Sequence, residues 1–242
     1  MIQFVNVHKS FNGHPVLKGI TMEIPDEKVT VILGPSGEGK SVLLKHVIGL
    51  MRPDSGHVIV DGVDLSSLDD KELNQFRKKF GMLFQSAALF DSLSVRENVA
   101  FPLKEHTKLP AREIDHKVRE KLDLVGLSGA LDKMPSELSG GMRKRVGLAR
   151  AIALEPKIIL YDEPTTGLDP LMTDTINRLI LDTQRKLKLT SVIISHDIES
   201  SFQIADVIAM LHGGKIIVQG TPAEFRSSAH PFVRKFLERR GD

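Results

Sequence analysis

Cysteine is absent from the 242 residues, which excludes disulfides, thiolate metal sites and thiol catalysis. Long apolar runs are absent too. The longest stretch without a charged residue, the eleven from Phe80 to Phe90, contains Gln85 and Ser86 and falls short of the roughly 18–20 apolar residues that span a bilayer. The chain is therefore not expected to cross a membrane by itself. No basic leader followed by an apolar core opens it, so export is not expected either. A surplus of one charge sign is also missing: 33 Lys plus Arg face 31 Asp plus Glu, a net +2. The pI of about 8.7 rests on that small difference and does not point to nucleic acid. There is no internal repeat or low-complexity tract.

What is present is an alternation of short β-branched runs with longer amphipathic segments, the pattern of an α/β domain on a largely parallel sheet. Ile2 to Val7 and Ile20 to Ile24 read as early antiparallel strands, with turns at Asn12-Gly13 and Pro25-Asp26. Val29 to Leu33 reads as a buried strand entering a glycine-rich turn and then a helix from about Lys40 to Gly49. Further strands are expected at Val58 to Val60, Met82 to Phe84, Ile158 to Tyr161, Ser191 to Ile194, Val207 to Leu211 and Ile216 to Val218. From about Ser92 to Leu154 helical spacing replaces β-branched runs, as in Ile114, Val118, Lys121, Leu122 and Val125, with Gly126 a stop signal. The expected organisation is one domain over 1–242. Its core spans about 1–91 and 155–242, with an N-terminal antiparallel part, and a helical subdomain is inserted at about 92–154.

Three motifs carry chemistry. Gly34-Pro35-Ser36-Gly37-Glu38-Gly39-Lys40-Ser41 fits the phosphate-loop pattern G-x-x-x-x-G-K-[ST], between a strand and a helix as the mechanism requires. Its glycines let backbone N–H groups converge on phosphate oxygens at a helix N-terminus. Lys40 would then contact the β- and γ-phosphates and Ser41 would ligate Mg²⁺. The second motif lies 122 residues after Lys40, where Ile158 to Tyr161 ends in Asp162-Glu163. Taken alone, this pair reads as a solvated turn; after a phosphate loop, it reads as a Mg²⁺ ligand followed by a base for the attacking water. The third is Leu138-Ser139-Gly140-Gly141-Met142, with Ser139 a natural N-cap and open N–H groups for an anion. Alone it is also consistent with a plain helix cap and a solvated basic face at Arg143, Lys144 and Arg145.

In this order the three motifs resemble the nucleotide-binding subunit of ABC transporters over essentially the whole chain. The resemblance implies the fold: α/β, an ABC-type P-loop NTPase with a mainly parallel RecA-like sheet flanked by helices, an N-terminal antiparallel β subdomain and an inserted helical subdomain. It also implies roles. Phe11 would stack on adenine, Gly34 to Val42 would bind ATP, and Gln85 would join the helical subdomain and reach Mg²⁺ with Ser41 and Asp162. Glu163 would be the base, Asp169 the aspartate that follows, and His196 the sensor of the γ-phosphate. Ser139, Gly140 and Gly141 would close on ATP held by a second copy, giving a homodimer in the ATP-bound state, with Lys40, Gln85, Glu163 and His196 taking part in hydrolysis.

The wording Gly39 to His46, Ala88 to Leu93, Leu138 to Val146 and Tyr161 to Pro170 resembles the ATPases of Mla and Mce-type lipid transport systems. Met142 stands where most ABC subunits carry Gln, in keeping with that branch. The resemblance implies integral-membrane permease partners, an MCE substrate-binding protein, a small STAS-type subunit, and a place on the cytoplasmic face of the inner membrane. The alternatives are an ATPase of a small-solute importer and a soluble DNA-repair or ribosome-associated ABC ATPase. The 99 residues from Lys40 to Ser139 leave no room for the coiled coil of chromosome-type members, and there is one nucleotide motif set, not two in tandem. No nucleic-acid partner is expected.

Two residues sets stand out. Glu38 places a carboxylate inside the phosphate loop, and like-charge repulsion predicts that it points to solvent. Phe232, Val233, Phe236 and Leu237 fit one apolar helix face, read as core packing with a crossing to a partner subunit as the alternative. The apolar loop Ala87 to Leu93 is where a permease would dock, or it is intradomain core.

Overall fold

The computed structural model describes residues 1–238, which fall into two compact units, one of residues 1–77 and 190–238 and one of residues 78–189. In the first unit, β1 (Ile2–Phe11) and β2 (His14–Ile24) form an antiparallel hairpin. Its turn is Asn12-Gly13, with φ of +50° and +78°, the pair of left-handed residues that a two-residue hairpin turn requires. β1 and β2 outrun the apolar runs because their distal halves are polar. Register breaks near Asn6 and between Lys9 and Ser10 also hide the alternation.

β3 (Val29–Leu33) is buried at all five positions, and α1 (Lys40–Val47) follows the phosphate loop. α1 stops two residues before Gly49, whose φ is +69°, and Arg77 donates to the carbonyls of Ile48 and Gly49 at 3.3 and 2.7 Å. An arginine at a helix C-terminus satisfies orphan carbonyls and suits the negative end of the dipole. β4 (Ser55–Val60) and β5 (Val63–Asp64) complete the antiparallel sheet in the order β2-β1-β4-β5, and α2 (Asp70–Arg77) follows.

The second unit opens with β6 (Phe80–Leu83), two residues earlier than the apolar run suggested, leaving Phe84 exposed. Then come α3 (Val95–His106), α4 (Ala111–Leu124) and α5 (Gly140–Ala151), with no strand among them. β7 (Ile158–Asp162) pairs with β6 in parallel, and α6 (Pro170–Leu187) ends the unit. α4 stops before Gly126, whose φ is +68°.

Back in the first unit come β8 (Thr190–Ser195), α7 (Ile198–Ile204), β9 (Val207–His212), β10 (Lys215–Gly220), α8 (Pro222–Arg226) and α9 (Pro231–Glu238). β3 lies between β8 and β9, parallel to both, and β10 is antiparallel to β9. Helical crossovers between buried parallel strands are what the alternating sequence demands. The architecture is α/β, with an antiparallel sheet and a mainly parallel sheet flanked by helices.

Candidate nucleotide site

In each unit some of the candidate residues follow the carboxyl ends of parallel strands, the edge where open α/β sheets bind ligands. In the first unit, Leu33 pairs with Ser195 and with Met210, so Gly34 and His196 leave adjacent strands at the same level. A Cβ on Gly34 would lie 2.5 Å from the Leu211 carbonyl oxygen, so only glycine lets the loop turn away this close to β9. Gly39, the α1 N-cap, has φ +97°, and a Cβ there would lie 2.8 Å from Val16 Cγ1. Val16 on β2 therefore abuts the loop, which brings the hairpin bearing the exposed Phe11 to its side.

Lys40 is buried, and its ammonium donates to the Gly34 and Pro35 carbonyls at 2.7 and 2.9 Å. These bonds fold the side chain back over the loop it serves. Ser36, Gly37 and Ser41 are exposed, and nothing lies within 4 Å of a Cβ placed on Gly37. Glu38 does not point to solvent, contrary to the charge argument. Its carboxylate accepts from the Gly213 N–H at 2.7 Å and lies 3.0 Å from His212 Nδ1. Donors from the β9–β10 turn, 174 and 175 residues away in sequence, outweigh the pull of water.

In the second unit, Leu83 pairs with Tyr161, so Gln85 and Asp162-Glu163 also leave adjacent strands together. Glu163 has φ +46°, and its carboxylate accepts from the Thr166 hydroxyl at 2.8 Å. Ser139 caps α5 by accepting the Met142 N–H, and Asp169 caps α6 in the same way with Met172. The two caps adjoin, since a Cβ on Gly141 would meet the Met172 sulfur at 3.0 Å and one on Gly140 would meet Leu168 at 3.5 Å. Ser139 and Gly140 are exposed. Among the described residues no cluster of three or more His, Cys, Asp or Glu could hold a metal. Ser41 in the first unit, and Gln85 and Asp162 in the second, each carry an oxygen donor of the kind a hard divalent cation takes.

Residues 17–166 match the family described as ABC transporter. The chain belongs to that family. It is an ATP-binding cassette with ATPase activity. Among its relatives, the probable ribonucleotide transport ATP-binding protein mkl of Mycobacterium tuberculosis is 46% identical over 239 residues, 99% of this chain and 67% of the relative. The intermembrane phospholipid transport system ATP-binding protein MlaF of Haemophilus influenzae is 43% identical over 242 residues, 100% of this chain and 92% of the relative. MlaF of Escherichia coli K12 is 43% identical over 223 residues, 92% of this chain and 83% of the relative. Among solved structures, the cassette MJ0796, a dimer in a post-hydrolysis state bound to ADP and Pi, superposes with a TM-score of 0.83. It is 31% identical, covering 92% of this chain and 99% of that one. The cassette cbiO1 of Clostridium perfringens gives 0.87 at 33% identity, covering 99% of this chain and 93% of that one.

Arg150 and Asn98 of this ABC cassette escaped the sequence reading, and Lys144, read there as part of a solvated basic face, is corrected by the structure. Lys144 on α5 is buried; its ammonium donates to the Gln85 carbonyl and lies 3.4 Å from the Glu163 carbonyl. Burial pushes its pKa below the usual lysine value, against an opposing pull from the Asp162 and Glu163 carboxylates. Arg150, on the same helix, forks onto the Ala87 and Ala88 carbonyls at 2.7 and 2.8 Å. Asn98 is fully buried, accepting from the Phe90 N–H at 2.9 Å and donating toward the Leu93 carbonyl at 2.9 Å. Together they fix the loop after Gln85. Lys144→Met, which keeps the stem and removes the donor, is expected to lower stability by about 2 kcal/mol, as for a hydrogen bond made by a charged group. The urea midpoint measures it, and an unchanged midpoint would leave the ammonium without a structural role.

Proposed function

We propose that this chain is the motor subunit of a phospholipid transport system, held through a permease at the cytoplasmic face of a bacterial inner membrane. The observation that carries the reading is full-length similarity to MlaF of Haemophilus influenzae, 43% over 242 residues and 92% of that relative. The relatives named for ribonucleotide transport are as similar in sequence, yet the chain covers only 67–69% of their length. That makes ribonucleotide transport the second reading.

ATP is the substrate. The Gly34 to Val42 backbone cradles its phosphates, Lys40 moves from the Gly34 and Pro35 carbonyls to the β- and γ-phosphates, and Phe11 stacks on adenine. Ser41, Gln85 and Asp162 would hold Mg²⁺, which would supply positive charge to offset that of the phosphates. Glu163 accepts a proton from the water attacking the γ-phosphorus, the bond to the β-phosphate oxygen breaks, and ADP and phosphate result. His196 contacts the γ-phosphate. Ser139, Gly140 and Gly141 at the start of α5, with Asp169 beside them, close on ATP held by a second copy of the chain. Closure moves the permease, and hydrolysis resets it.

The face offered to the permease is the loop from Ala87 to Leu93. Phe84, Phe90 and Phe101 are each 39–43% exposed, and the Phe90 and Phe101 rings are 4.8 Å apart, an apolar patch that supports the reading. No helix among the described residues is long and apolar enough to cross a membrane. An MCE-type substrate-binding protein and a small STAS-type subunit belong to the same assembly. The test is purification from membranes without crosslinking. Retention with a permease and copurifying phospholipid is expected, whereas copurifying ribonucleotides would favour the second reading, and recovery only with nucleic acid or ribosomes would overturn both.

A further inference from the structure

The contacts of Glu38 do not end at the β9–β10 turn. Its Oε2 accepts the Gly213 N–H and its Oε1 faces His212 Nδ1, which suits an imidazole carrying its proton on Nδ1. The imidazole lies flat on the Phe232 ring, with centroids 3.5 Å apart and planes 9° from parallel. Phe232 belongs to α9 and continues to Phe236 at 6.1 Å. Val233 is fully buried, and Phe232, Phe236 and Leu237 are half-buried. Three contacts within the first unit thus join the phosphate loop to the C-terminal helix. Neither end is near the other in sequence, and the loop residue concerned is the one whose charge is wrong for a phosphate site.

We propose that Glu38, His212 and Phe232 form a relay through which the seating of α9 sets the phosphate loop's grip on ATP. The proposal rests on residues 34–41 being the ATP phosphate site. A carboxylate in that loop repels phosphate unless it is turned away and its charge compensated. Here the Gly213 N–H and the His212 ring do both. The ring keeps its place by stacking on Phe232, so a shift of α9 loosens His212 and frees Glu38 beside the phosphates. Glu38 is thus a positioning residue whose influence on ATP is controlled from α9. Removing the carboxylate removes the repulsion together with the tether, which uncouples α9 from the loop.

The test is a double-mutant cycle on the full-length chain, reading the Kd for ATP with Mg²⁺ and steady-state kinetics. Phe232→Ala is expected to weaken ATP binding about fivefold and raise KM similarly, with kcat within about twofold. Phe232→Tyr, which preserves the stack, should restore affinity. Glu38→Ser sets the second background, whatever its own Kd, and Phe232→Ala placed in it should have no further effect. An unchanged Kd in Phe232→Ala would overturn the relay, as would the same fivefold loss in both backgrounds, which would mean that α9 affects ATP binding without Glu38. If Phe232→Ala does not fold, His212→Asn gives the same comparison, because it keeps a donor near Glu38 and removes the ring. Unaltered ATP binding in Lys40→Ala would instead refute the phosphate-site reading itself.

Discussion

Glu163→Gln is expected to cut phosphate release by about 10²–10⁴-fold, the range of a lost general base, while leaving ATP binding intact. The amide is isosteric and can still accept from the Thr166 hydroxyl, which lies 2.8 Å from the carboxylate. The backbone carbonyl facing Lys144 is untouched. What the variant loses is the ability to take a proton from water. ATP should therefore accumulate on the protein and hold the dimer closed, which size-exclusion chromatography with and without ATP will register. Turnover above a tenth of the parent value would assign the base to another group.

Lys40→Ala should have the second-largest effect, a loss of ATP affinity of about ten- to a hundredfold, from a charged hydrogen bond worth about 1.5–3 kcal/mol. Two functions disappear together in this variant. The ammonium is a phosphate ligand in the proposed cycle, and in the structure it also holds the Gly34 and Pro35 carbonyls. Lys40→Arg separates them, since it retains charge but changes geometry. Equilibrium binding of a fluorescent ATP analogue checks both variants, and an affinity for Lys40→Ala within threefold of the parent would remove the lysine from the phosphate site.

Much of the fold was legible because the buried strands announce themselves. Val29–Leu33, Ile158–Asp162 and Thr190–Ser195 are buried almost throughout, and unbroken β-branched or aliphatic runs are what such strands need. α2 and β5 were not legible. α2 buries only Leu73 and Phe76, too few apolar positions to set a period, and β5 is two residues long. The phosphate loop, the Asp162-Glu163 strand end and the Ser139 cap were visible because their chemistry is local. The groups that hold them were not. Glu38 meets His212 across 174 positions, and Lys144 reaches Gln85 across 59, distances at which sequence spacing carries no geometric information. Asn98 looks like any polar helix residue until the Phe90 to Ser94 backbone is seen wrapped around it.

Ala87 and Ala88 have φ of +61° and +46°, consecutive left-handed residues without the freedom of glycine. The Arg150 fork on their carbonyls offsets the cost, and a Cβ on Gly147 would lie 3.2 Å from that of Ala87, so the helix beneath leaves room for little else. Glycine would adopt this shape more cheaply and many others as well. The methyl groups thus trade stability for definition. If this loop takes the permease as proposed, it gains from having only one shape to push with.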